Sequence, residues 1–211
     1  ARLTTLHACS DLWATGAKVV SAQVVITLPQ VSIKIQKELL AQSLSGINSA
    51  LEPQGAKLIG GHTLEARSDS PQPSSLGLQI ALSVNGLVPS GSIPWTKGGC
   101  QPGDVLIISR ALGSGVLFAA ANAGKSCVQD LDAALDVLKT SQHYLLESLL
   151  KIQEKNNSSQ IVHACTDITG FGLLGHLEEM LLASNSQRIK SGKPPIRIRL
   201  EAKSIPAFNG A

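Results

Sequence analysis

Aromatic residues make up only 3% of this chain, three Phe, two Trp and one Tyr among 211 residues, so it lacks the rows of flat rings on which single-stranded nucleic acids stack. An excess of one charge is missing too. Lys and Arg number 18 against 15 Asp and Glu, and the basic residues are scattered along the chain, which argues against a nucleic-acid partner. No apolar run approaches the roughly 20 residues that span a bilayer as a helix. The first residues, Ala1-Arg2-Leu3-Thr4-Thr5, have none of the sections of a signal peptide. No membrane partner is expected. The four cysteines, Cys9, Cys100, Cys127 and Cys165, are far apart with no C-x-x-C spacing, which removes a zinc site and a disulfide framework and leaves them as small, mostly buried apolar side chains. A reducing, cytoplasmic setting follows as the expectation.

What is present is a packed globular composition, 43% apolar and 16% charged, with enough length for one large or two small domains. Residues 3–13 read as a helix and the β-branched run 19–28, closed by Pro29, as a strand. Ile35, Leu39, Leu40, Leu44, Ile47 and Leu51 recur at helical spacing. Residues 57–59 form a short strand running into Gly60-Gly61-His62-Thr63, and 67–75 is a Pro- and Ser-rich loop. Leu76, Leu78, Ile80, Leu82 and Val84 alternate with small or polar residues, the mark of a strand with one buried face. The Gly-, Pro- and Ser-rich stretch 89–102 separates an N-terminal α+β domain, 1–94, from a C-terminal one, 95–211. In the second domain the pattern predicts strands over 105–109, 161–165 and 196–200. It also predicts helices over 114–122, 131–152 and 171–183. The chain opens within a helical pattern and closes directly after a strand, and is expected to be a fragment, incomplete at both ends.

One phrase occurs twice: His7-Ala8-Cys9-Ser10-Asp11 and His163-Ala164-Cys165-Thr166-Asp167. Each aspartate lies near a glycine and near a plausible helix boundary. It either caps a helix or projects a carboxylate toward a ligand. Two such carboxylates suit magnesium, which is held by one or two carboxylates together with substrate phosphates. Gly60-Gly61-His62-Thr63 is either a tight turn or a place where backbone N–H groups approach phosphate. Thr169-Gly170-Phe171-Gly172-Leu173-Leu174-Gly175-His176 leads into a helix, with small residues that serve either anion contact or close packing. His62 and His176 lie in these glycine-rich stretches, whereas His143 has apolar neighbours on a helix and reads as structural.

Together and in this order, Ser10-Asp11-Leu12-Trp13-Ala14-Thr15-Gly16-Ala17, Gly60 to Thr63, and Thr166 to Leu177 resemble the selenophosphate synthetases, or selenide, water dikinases. Residues 103–109 and 112–117 are similar to the family as well. The resemblance implies a two-domain α+β fold like that of aminoimidazole ribonucleotide synthetase, and a homodimer built by pairing N-terminal sheets. It implies synthesis of selenophosphate from selenide, ATP and water with release of AMP and orthophosphate. By position it makes Asp11 and Asp167 ligands of Mg2+, with Asp11 also beside the nucleotide. Gly60, Gly61 and His62 become ATP contacts, with Thr63 as an extension.

The departures define what this chain lacks. The family's glycine-rich N-terminal segment, which carries the catalytic cysteine or selenocysteine and a lysine, has no counterpart here. No residue inherits the nucleophile's role, and Cys9 and Cys165 stand where the family does not place it. Asn85-Gly86 occupies a position where the family more often has Thr-Gly. The fragment alone is expected to be inactive. Two other readings are an ATP-dependent enzyme of the same fold, of thiamine-phosphate kinase or hydrogenase-maturation type, and a noncatalytic nucleotide-binding module.

Overall fold

The computed structural model describes residues 1–66, 77–156 and 160–211, so the loop expected over 67–75 lies outside the described residues, as does Leu76. The chain divides into two compact units: Ala1–Pro94 with Ser141–Ile152, and Trp95–Thr140 with Gln153–Ala211.

The first unit runs α1 (Arg2–Ala14), β1 (Lys18–Leu28), α2 (Ile33–Leu51), a 3-10 turn (Glu52–Gln54), β2 (Lys57–Glu65) and β3 (Gln79–Leu87). β1 is central, parallel to β2 through the α2 crossover and antiparallel to β3. Its β-branched residues suit that doubly paired position. Val19 is buried, then Ala22, Val24, Ile26 and Leu28. The switch from odd to even numbers follows from a bulge: Val19 opposes Gly86 and Ser21 opposes Asn85, so Val20 is the extra residue that reverses the inward phase. Against this face pack Leu6, Cys9 and Trp13 of α1 and Ile47, Ala50 and Leu51 of α2. α2 is anchored by its C-terminal half, since Ile33 and Ile35 near its start are 69% and 50% exposed. In β3, Ile80, Leu82 and Val84 are the more buried residues, as the alternation predicts.

Gln54 ties these elements together. Its amide oxygen accepts from Trp13 Nε1 at 3.2 Å, and its Nε2 donates to the Ala50 carbonyl at 3.0 Å. Gly86 is required for packing: a Cβ there would stand 2.9 Å from the Lys18 carbonyl oxygen and 3.0 Å from a Leu12 methyl.

The predicted helix over 131–152 is two helices, α4 (Val128–Leu138) and α5 (His143–Lys155), and Ser141–Ile152 belongs to the first unit although it was expected in the second domain. The break falls where polar groups compete with the helical ladder. Ser141 Oγ meets His143 Nδ1 at 2.8 Å, and Arg110 donates to the Thr140 carbonyl. Leu146, Leu150 and His143 are buried.

The second unit holds α3 (Ser114–Asn122), α4 and α6 (Gly172–Lys190); α3 packs on α4, and Trp95, Leu117, Ala134, Leu177 and Met180 are buried. α3 starts after Gly113, at φ 105°, as its glycine predicts. α6 continues seven residues beyond the predicted end at 183. The strands predicted over 105–109, 161–165 and 196–200 do not form, and among the described residues the second unit shows only an isolated parallel bridge between Leu112 and Ala207. A β-branched run becomes a strand only where another backbone supplies the ladder. Val105 and Ile107 are 82% and 83% exposed, and Ile196 is bonded instead by a side chain, its N–H donating to Asn185 Oδ1 at 2.7 Å. The α+β class holds, with the described sheet confined to the first unit.

Candidate functional site

The two copies of the repeated phrase adopt different conformations. Residues 7–11 lie inside α1, whereas 163–167 are non-helical. The first copy follows the helix-compatible residues 2–6; the second follows β-branched Ile161 and Val162 and is pinned where Cys165 N–H donates to the Thr96 carbonyl at 2.9 Å. Neither aspartate caps a helix: the N-cap positions are Ala1 for α1 and Phe171 for α6.

Asp11 sits exposed in the last turn of α1, flanked by Leu12 against Gly86 and by the buried Trp13. A carboxylate there opposes the helix dipole, so its presence does nothing for the helix. Asp167 belongs to the second unit and is half-buried, in the segment leading to Gly172.

Gly60-Gly61-His62-Thr63 is neither a turn nor a loop; all four residues lie within β2, opposite Gln23, Val24, Val25 and Ile26 of β1. Ala22 pairs with Leu58 and Gln23 with Gly60, leaving Ile59 bulged just before the glycines. Gly61, at φ 157°, admits no side chain: a Cβ would lie 2.0 Å from the Val24 carbonyl oxygen. Gly60 has open space where its Cβ would be. Cross-strand neighbours share a face, so Gly60 and His62 belong with Gln23 and Val25 on the face away from the core, while Gly61 and Thr63 belong with Val24 and Ile26 on the helix side. His62 and Thr63 therefore project to opposite sides of the sheet.

In the second unit, Asp104 bridges two segments. Its Oδ2 accepts from Gln101 N–H at 2.7 Å and its Oδ1 lies 2.8 Å from His163 Nδ1. His176, 5% exposed on the second turn of α6, reaches back to the loop after Asp167, with Nε2 3.1 Å from Thr169 N. Gly175 is a packing glycine, since a Cβ there would stand 2.8 Å from Phe171 Cβ. No local pattern marks Asp104 or Lys97 as a bridging residue, because their partners lie 59 and 82 residues away.

Cys9 and Cys165 are not poised for attack. Burial pushes the Cys9 thiol up to about 11, against a small opposing effect of Gln54. Burial, followed by the Asp167 carboxylate, raises Cys165 as well. His143 is 3% exposed, and burial lowers its pKa more than Glu147 and the Pro53 carbonyl raise it.

Among the described residues no group of three or more His, Cys, Asp or Glu side chains converges as a metal cage. Asp11 and Asp167 are each a single carboxylate, the type of oxygen ligand that a hard cation takes together with water and phosphate.

Residues 1–88 match the family described as AIR synthase related protein, N-terminal domain, and residues 101–209 match the AIR synthase related protein, C-terminal domain. The chain is similar to the selenide, water dikinase of Caldanaerobacter subterraneus subsp. tengcongensis, 33% identical over 211 residues, covering 100% of this chain and 52% of that protein. The selenide, water dikinase of Trichlorobacter lovleyi is 31% identical over 209 residues, 99% of this chain and 52% of the relative. The chain thus spans about half the length of the curated relatives it matches. Among solved structures, hydrogenase maturation protein HypE aligns with a TM-score of 0.65 and 19% identity, over 87% of this chain and 52% of that one. HypE in complex with ATP gives 0.64 and 16%, over 93% and 59%. Thiamine monophosphate kinase from Aquifex aeolicus gives 0.63 and 16%, over 92% and 66%. At such identities the likeness is one of fold.

Proposed function

The chain belongs to the AIR synthase related protein family, and on that premise we propose that it forms part of an ATP- and magnesium-dependent phosphotransferase that makes selenophosphate from selenide, with AMP and orthophosphate as the other products. The observation that carries this reading is the end-to-end similarity to selenide, water dikinases, 33% over 211 residues in one case. In it Asp11 and Asp167 are each assigned as a ligand of Mg2+, which when bound would neutralise phosphate oxygens and align them for displacement. Asp11 also lies beside the nucleotide. Gly60 and His62 meet ATP on the outer face of β2, where the absent Cβ of Gly60 leaves room for a phosphate to approach the backbone. Gly61 serves by holding β2 tight against β1, and Thr63, on the other face, contributes only through the backbone. The nucleophile comes from none of these residues.

Self-association through the first unit's sheet belongs to the same reading: Val25 and Leu64, on the outer face, are 42% and 45% exposed. Among the described residues no helix is long and apolar enough to cross a membrane, and the cytoplasm is the proposed location. The test is carried out on the full-length protein containing this chain. Asp167→Asn abolishes magnesium-dependent ATP consumption with selenide; undiminished turnover removes Asp167 from the mechanism. Turnover with thiamine phosphate in place of selenide would transfer the assignment to a kinase of the same fold.

A further inference from the structure

Four residues of the second unit form a connected polar chain that ends on the backbone of the Asp167 loop. Lys97 Nζ lies 2.6 Å from Glu179 Oε2, the same oxygen is 3.3 Å from His176 Nδ1, and His176 Nε2 is 3.1 Å from Thr169 N and 3.2 Å from Thr169 Oγ1. The directions of these bonds follow from chemistry. A backbone N–H only donates, so Nε2 is an acceptor and carries no proton. The ring's proton is then on Nδ1, facing a carboxylate that can only accept. Lys97, the first cause of the lowered Glu179 pKa, keeps that carboxylate ionised.

We propose that His176 is a positioning residue, locked as the Nδ1–H tautomer by Glu179 and Lys97, which fixes the loop carrying Asp167 through the Thr169 N–H. Thr169 is held from both sides, because its carbonyl accepts from Gly172 N–H at 2.9 Å. The ring is itself confined: it is 5% exposed, and the Phe171 ring lies 5.9 Å away between centroids at 56°. Thr169 is two residues from Asp167, so a ring on α6 acts on the backbone that carries this carboxylate from one side, as the Cys165 N–H bond to the Thr96 carbonyl does from the other. A Lys or Glu substitution far along the chain is thereby felt at the loop. The catalytic consequence rests on the reading of Asp167 given above; the hydrogen-bond chain does not.

The experiment uses the chain without metal or nucleotide. Long-range 1H–15N correlation of the His176 ring at pH 7.5 gives the Nδ1–H pattern; an Nε2–H pattern overturns the proposal. Amide exchange at Thr169 is then followed in two variants. His176→Gln places an amide near the position of Nε2 and keeps Thr169 protected. His176→Asn reaches only the position of Nδ1 and speeds exchange by about tenfold, as loss of one hydrogen bond requires. Equal exchange in the two variants overturns the proposal, and because the tautomer is read in the unaltered chain, a misfolded variant does not remove the test. If the tautomer and the Gln/Asn split appear while Asp167→Asn leaves ATP consumption unchanged, the positioning role stands and the metal assignment falls.

Discussion

Replacing each of the adjacent glycines of β2 by alanine separates a packing role from a ligand role. At Gly61 the new Cβ would stand 2.0 Å from the Val24 carbonyl oxygen, 2.9 Å from the Val24 carbonyl carbon and 3.0 Å from its Cγ1. Two of these are backbone atoms of the central strand, with no rotamer to retreat into. Since optimal non-bonded contact is about 3.5 Å or more, β2 must move off β1 by about 1.5 Å. Overpacking of this kind costs about 1–3 kcal/mol, and each ladder hydrogen bond lost adds about 1 kcal/mol, so Gly61→Ala loses about 3 kcal/mol. At Gly60 the Cβ meets nothing within 4 Å, so Gly60→Ala stays within about 0.5 kcal/mol of the parent. The chain has two tryptophans, Trp13 in the first unit and Trp95 in the second. In a Trp95→Phe background, urea denaturation followed by fluorescence reports on the first unit alone. With an m-value of about 2 kcal/mol/M, the Gly61→Ala midpoint falls by about 1.5 M while that of Gly60→Ala hardly moves. Matching midpoints would refute the account of β2. ATP affinity in the full-length protein inverts the order of interest: Gly60→Ala weakens binding at unchanged stability, and unchanged affinity would exclude phosphate approach at that backbone.

Three further outcomes are expected. Asp11→Asn, which relieves a carboxylate opposed to the α1 dipole, raises the stability of the first unit by about 0.3–1 kcal/mol, read from the Trp13 transition at low salt; a loss would refute the dipole argument. His143 is held below its ordinary pKa by burial, so the unfolded chain binds more protons and stability is full above about 6.5 and falls as pH drops from there toward the folded value. His143→Gln removes that part of the slope, and equal slopes between pH 7 and 5 in denaturant titrations would contradict it. Alkylation at pH 8 followed by mass spectrometry labels exposed Cys127 first and Cys9, with its thiol at about 11, only at the rate of unfolding; early Cys9 labelling would show the site to be open.

Much of the first unit was legible because local pattern and tertiary role coincide there. The β-branched run became the central strand, and the alternation of Ile80, Leu82 and Val84 gave the buried face of β3. Two things were not legible. The phase reversal at Val20 depends on which residues of β3 lie opposite, and the extension of β2 through Gly60-Gly61-His62-Thr63 depends on β1 completing a ladder that glycines would not choose alone. The second unit shows the converse. Residues 105–109 and 196–200 have strand composition, but Ile196 finds the Asn185 side chain rather than a strand, because composition makes a segment ready for pairing and does not supply its partner.

The repeated phrase puts a limit on what a motif specifies. His-Ala-Cys-Ser-Asp in α1 and His-Ala-Cys-Thr-Asp before α6 differ by one hydroxyl-bearing residue, yet one is helical and the other is not. Five residues carry too little propensity to choose, and the choice is made by the flanks and the packing around them. Equivalence of Asp11 and Asp167 therefore cannot come from the repeat. As ligands they are equated only by the proposed function, and the two carboxylates are placed by different means: Asp11 by a helix anchored at Leu12 and Trp13, Asp167 by a loop tied through Cys165 N–H to the Thr96 carbonyl and through Thr169 N–H to His176. A helix-borne ligand tolerates loss of a single distant contact, since the backbone ladder fixes it. A carboxylate on a loop depends more on such contacts, so on the positioning role proposed for His176, substitutions at Lys97, Glu179 and His176 bear on the Asp167 loop and leave α1 unchanged.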